Sequence, residues 1–123
     1  MKIIISNSSN QPIYEQISDQ IKTQILQGIL KPGDPLPSMR TLAKDLRISV
    51  ITTKRTYEEL EQDGFIESFV GKGSFVKDLN TDLLREEHLK QIEELLSSAI
   101  SLADTAGIST DELIELIKLL KEN

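Results

Sequence analysis

Two capped helices with almost no link between them, a glycine-centred pair of short strands, and a tail of nearly continuous apolar helical pattern predict a mainly α protein of the α+β class. The first two features, with a helix ahead of them, predict an N-terminal winged helix-turn-helix over residues 1–77. The third predicts a C-terminal two-helix hairpin over 78–123. At 123 residues the chain suits one domain with an appendage and supports a real core.

Pro12 sits at the start of the first helix, in its first turn with Asn10 or Gln11 as cap, where its missing N–H costs little. Ile13, Ile17, Ile21 and Ile25 recur every four residues with Tyr14 and Leu26 beside them, which makes one buried stripe, and Gly28 ends the helix. Leu30 to Pro37 holds three prolines and a glycine and is read as a turn followed by a short extended piece. Ser38 caps a short second helix that buries Leu42, Ala43 and Leu46, and Arg47-Ile48 is the tight connection onward.

Ser49 caps the third helix and Gly64, tolerant of left-handed backbone, ends it. Its charge is sorted: Lys54 and Arg55 lie early, while Glu58, Glu59, Glu61 and Asp63 lie late. The first turns carry Thr52, Thr53 and Lys54, the donor-rich end that a recognition helix offers to the major groove. An ordinary amphipathic helix packed through Tyr57 and Leu60 accounts for the same stretch taken alone. Phe65 to Val70 and Ser74 to Val76 read as strands joined across Gly71-Lys72-Gly73, a wing whose tip has two flexible glycines and one lysine for a phosphate or the minor groove.

A long helix is expected from Asn80 or Thr81 to about Ala106-Gly107, and a second, capped by Ser109 or Thr110, to the end. Leu95, Leu96 and Ile100 on the first and Leu113, Ile114, Leu116, Ile117 and Leu120 on the second exceed what one packed face requires, so the hairpin is read as a dimerisation element. The alternative is a hairpin folded back on its own winged domain.

The net charge of −6 is unevenly placed. Residues 1–77 carry 10 basic and 9 acidic side chains, and residues 78–123 carry 4 and 11. The front half can present a basic face to DNA while the acidic tail turns phosphates away, although a merely solubilising acidic helix explains the tail as well. The absence of cysteine removes disulfides and thiolate metal sites and fits a reducing, cytoplasmic setting. Met1 to Ile5 is too short for a signal peptide or membrane span. Gly71-Lys72-Gly73-Ser74 is not a phosphate loop, because position 66, where that motif needs glycine, is Ile. With one histidine, His88, no zinc cluster or catalytic triad is expected, and Asp78, Asp82, Glu86 and Glu87 are read as acids favoured by a helix dipole rather than as metal ligands. No enzyme chemistry and no cofactor are expected.

Residues 32–43, Leu46 to Ser49, Tyr57 to Ile66 and Gly71 to Val76, in register over about 11–77, resemble the GntR family of bacterial transcription regulators. Pro12-Ile13-Tyr14-Glu15-Gln16-Ile17 and the short tail are similar to its YtrA-type subfamily, which lacks a large effector domain and dimerises through the tail. The resemblance implies DNA contacts at Arg40, Ser49, Thr52, Lys54, Gly71 and Lys72, to which Ser38 and Thr53 are added as polar residues of the same helix starts. Many members have Arg after the serine. Here Val50 and Ile51 follow it, which removes a base-reading donor and leaves side chains able to touch thymine methyls.

The expectation is therefore a homodimeric, sequence-specific repressor on a pseudo-palindromic double-stranded operator, with regulation of an adjacent transporter operon implied by the family. An unidentified small-molecule effector would bind between hairpin and winged domain or at the dimer seam. A winged-helix protein-interaction module without DNA function is the competing reading.

Overall fold

A computed structural model describes residues 1–79 and 81–122, with the side chain of position 81 outside the description. Asn80, the alternative start of the long helix, lies outside it too. The elements run α1 (Ile13–Leu26), α2 (Met39–Leu46), α3 (Val50–Gln62), β1 (Ile66–Phe69), β2 (Gly73–Val76), α4 (Thr81–Ala106) and α5 (Thr110–Lys121). The chain divides into two compact units, Met1–Thr81 and Asp82–Asn123.

In the first unit α3 packs on both α1 and α2. The core is Ile17, Ile21 and Ile25 from α1, Leu42 from α2, and Tyr57 and Leu60 from α3, closed by Leu30, Leu36, Phe65, Ile66 and Val76. The stripe of isoleucines thus lies where its spacing placed it, with Ile13 only partly covered at the end. Pro12 stands one position earlier than expected, at the N-cap itself. Its extended backbone (φ −55°, ψ 147°) leaves only its carbonyl to accept from Glu15 N at 3.1 Å and Gln16 N at 3.0 Å, so α1 has no side-chain cap.

Met1 to Ile5, expected only to be too short for a span, and Ser6 after them are held by side chains of α1. Gln16, Gln20 and Gln24, four apart on α1, grip the backbone of alternate residues 6, 4 and 2. Gln20 accepts from Ile4 N (2.9 Å) and donates to Ile4 O (2.6 Å), Gln16 does the same at Ser6 (2.9 and 3.0 Å), and Gln24 donates to Lys2 O (2.8 Å). The match is geometric: four helical residues rise about 6 Å and two extended residues about 6.6 Å. Ile3 and Ile5, alternating to the other side, pack against the core.

The helix-turn-helix link is made by Arg47, the one non-glycine residue with positive φ (56°) among those described. In that left-handed conformation its N–H and that of Ile48 turn back onto the last carbonyls of α2, Ile48 N reaching Ala43 O at 3.0 Å. Gly64 (φ +83°) closes α3 in the same way, sending Phe65 N to Leu60 O at 2.9 Å.

β1 and β2 pair antiparallel with Ile66 opposite Val76 and Phe69 opposite Gly73. The turn is therefore Val70-Gly71-Lys72, one residue earlier than expected, because Gly73 (φ +97°) already pairs as a strand residue. The proline-rich segment lines the other edge of β2: Gly33 N bonds Val76 O (2.8 Å), Val76 N bonds Asp34 O (2.9 Å) and Leu36 N bonds Ser74 O (2.9 Å). This backbone pairing ties the wing to the approach to α2.

In the second unit Ser109 caps α5, accepting from Glu112 N at 3.2 Å, after a short turn in which Ile108 N bonds Ala103 O at 2.8 Å. Among the described residues α4 and α5 share little contact beyond that turn. Ala103 is the one buried side chain of α4 among those described, and α5 buries none. No described helix is long and apolar enough to cross a membrane.

Candidate nucleic-acid interface

The candidate surface is built from two helix starts and the wing tip, all in the first unit. Ser38 caps α2 by accepting from Thr41 N at 3.1 Å while its hydroxyl donates to Thr41 Oγ1 at 2.8 Å. Arg40, two residues on, is exposed. The loop that delivers Ser38 is held by Tyr57, whose buried hydroxyl donates to Pro37 O at 2.7 Å. Burial pushes that phenol up from 10.0 to about 12, so it remains a donor throughout the neutral range.

Ser49 caps α3, accepting from Thr52 N at 3.1 Å, and its hydroxyl is hydrogen-bonded to that of Thr52 at 2.8 Å. The cap leaves the helix's positive dipole end and its remaining free N–H groups in the first turn, where Val50 and Ile51 are exposed and Lys54 stands one turn along. Lys54 Nζ lies 3.9 Å from Glu58 Oε1 on a fully solvated face, a pairing too weak to hold the ammonium away from a phosphate. At the wing tip Gly71 and Lys72 are both exposed.

Thr53 does not belong to this surface. Its side chain is 0% exposed and its hydroxyl bonds Ser49 O at 3.2 Å. Thr56, also 0% exposed, bonds Thr52 O and reaches across to Tyr14 O of α1 at 3.2 Å. The physical reason is periodicity: positions 53, 56, 57 and 60 form one helical stripe facing α1 and α2. A threonine there buries its methyl and satisfies its hydroxyl on the preceding turn. Reading Thr as a polar residue hid a signal that the 3–4 spacing carried. Arg55 is likewise occupied, its guanidinium 3.8 Å above the Tyr14 ring. Both early cations of α3 are exposed, but Lys54 lies on the solvated face beside Glu58 whereas the Arg55 guanidinium lies over Tyr14 of α1.

The residues expected to join two copies lie in the second unit and are uncovered in the single chain. Leu95, Leu96, Ile100, Ile114, Leu116, Ile117 and Leu120 are exposed and Leu113 is half-buried.

Residues 13–76 match the family described as bacterial regulatory proteins, gntR family. The chain is 40% identical over 116 residues to the HTH-type transcriptional repressor YtrA of Bacillus subtilis, covering 94% of this chain and 89% of that one. Among solved structures it is similar to a GntR family transcriptional regulator from Listeria monocytogenes (30% identity, 93% of this chain and 97% of that one, TM-score 0.75). It is also similar to YtrA from Sulfolobus acidocaldarius, described as a GntR-family transcription factor (34% identity, 98% and 97%, TM-score 0.57). These relatives are regulators of transcription and not enzymes. With matching residues running through the capped helices and the wing and on through the short tail, the chain belongs to the GntR family of bacterial regulatory proteins, in its YtrA-type branch.

Proposed function

We propose that the chain is a repressor that binds a pseudo-palindromic operator as a homodimer, one winged unit per half-site. The observation that carries this reading is the first turn of α3. It is capped by Ser49, positive by backbone dipole, exposed at Val50, Ile51 and Lys54, and rigidly backed by the buried Thr53, Thr56, Tyr57 and Leu60. Such a turn enters a major groove, with Arg40, Ser49, Thr52 and Lys54 on bases or phosphates and Gly71 and Lys72 on the flanking backbone or minor groove. The name of the Bacillus relative supports repression.

The second copy is supported by the apolar surface of the tail. Leu95 (71% exposed), Leu102 (70%) and Leu120 (65%) are largely exposed in one chain, and a second tail supplies cover. Two-fold pairing then sets the half-sites about one helical turn, roughly 34–36 Å, apart.

The test is binding of the full chain to a duplex from its own upstream region, followed by fluorescence anisotropy across a salt series. About four phosphate contacts per subunit give a log–log slope near −7. Arg40→Ala and Lys54→Ala weaken binding and leave the oligomer unchanged. A response flat in salt, or full affinity in both variants, refutes the assignment.

A further inference from the structure

Resting on that DNA-binding reading and deepening it, we infer that Ile51 is a specificity-determining residue that reads the C5 methyl of a thymine in each half-site. Among the described residues the polar inventory of the α3 start is nearly exhausted by the protein itself. The Ser49 and Thr52 hydroxyls bond each other at 2.8 Å, so the pair has a single O–H left to donate. Thr53 and Thr56 are wholly buried, and Arg55, though exposed, has its guanidinium drawn 3.8 Å over the Tyr14 ring of α1 rather than set beside Ile51 in the first turn. Lys54 supplies charge, but an ammonium on a four-carbon stem with Glu58 3.9 Å away is a phosphate anchor more than a bidentate base reader.

What the turn does present is aliphatic. Val50 is 46% exposed and Ile51 81%, the highest exposure of any large apolar side chain in the first unit apart from Val70 at the wing tip. Ile51 is the second residue of the helix, in the turn that meets base edges when a recognition helix docks. The major-groove edges of the four base pairs offer one apolar group, the thymine methyl. A β-branched side chain in a helix is held near one rotamer, so Ile51 meets that methyl with little ordering to lose. Burial of one methyl against it corresponds to roughly three- to tenfold in affinity.

The experiment selects duplexes from a random double-stranded pool with the full chain, then replaces each thymine of the recovered half-site singly by deoxyuridine, which removes the methyl and leaves base pairing intact. At one or two thymines the unaltered protein is expected to lose roughly three- to tenfold in affinity. Ile51→Ala is expected to lose a similar factor on the thymine duplex and to be indifferent to deoxyuridine at those positions, with Ile51→Val between them. Because Ile51 is exposed, circular dichroism of the variants should match that of the parent. Indifference of the parent protein at every thymine, or undiminished methyl discrimination by Ile51→Ala, overturns the inference while leaving operator binding standing. Recovery of no duplex overturns both.

Discussion

Replacing Tyr57 by Phe tests the link between the core and the presentation of the α2 start. The lost hydroxyl leaves Pro37 O without its donor in a buried setting, which costs about 1–2 kcal/mol at neutral pH. The same hydroxyl makes the parent protein alkali-sensitive. Its pKa is 10.0 unperturbed and about 12 in the fold, because burial disfavours the phenolate, so the native state keeps its proton to higher pH than the unfolded chain. The contribution is whole below pH 10 and drains as pH rises toward 12, by about 1.4 kcal/mol per unit. Near pH 11 the loss therefore equals the Phe penalty, and above it the variant is the more stable protein. Urea unfolding followed by circular dichroism at matched protein concentration, from pH 7 to 11.5, reads this directly, since only the difference between the two proteins isolates the one phenol. A penalty that stays constant over that range would refute the reasoning.

Three further outcomes are expected. Ser49→Asp preserves the cap, since Asp accepts the first-turn N–H as well as Ser does, so the thermal midpoint stays within a few degrees while operator affinity falls by an order of magnitude or more through repulsion of phosphate; unfolding of the variant, or retained affinity, counts against the placement of that turn. Arg47→Gly is neutral or mildly stabilising and Arg47→Val costs about 1–3 kcal/mol, because position 47 is left-handed and a β-branched residue is strained there; the reverse order in urea midpoints would mean that the arginine side chain itself holds the turn. Leu116→Glu, at a side chain 50% exposed in the single chain, leaves helix content unchanged and shifts the protein from dimer to monomer in light scattering; a dimer as tight as the parent's removes α5 from the proposed seam.

The sequence by itself determined the order of the elements, the isoleucine stripe, the serine caps at 38 and 49 and the wing with its glycines, and narrowed the α5 cap to Ser109 or Thr110, because each of these is local: a helical period, a capping hydroxyl, a turn needing positive φ. What the tertiary structure decided is which polar groups remain free. Thr53 left the candidate surface because α3 turns it onto the core, and the guanidinium of Arg55 is drawn over Tyr14 of a different helix. Arg47 accepted a conformation that sequence rules assign to glycine, and three glutamines proved to hold the backbone of the first residues against α1. A hydroxyl or guanidinium looks the same in sequence whether it faces solvent or a neighbouring element. Only the packing of α1, α2 and α3 says which of them is already satisfied, and in the first turn of α3 it left the aliphatic Ile51 facing solvent.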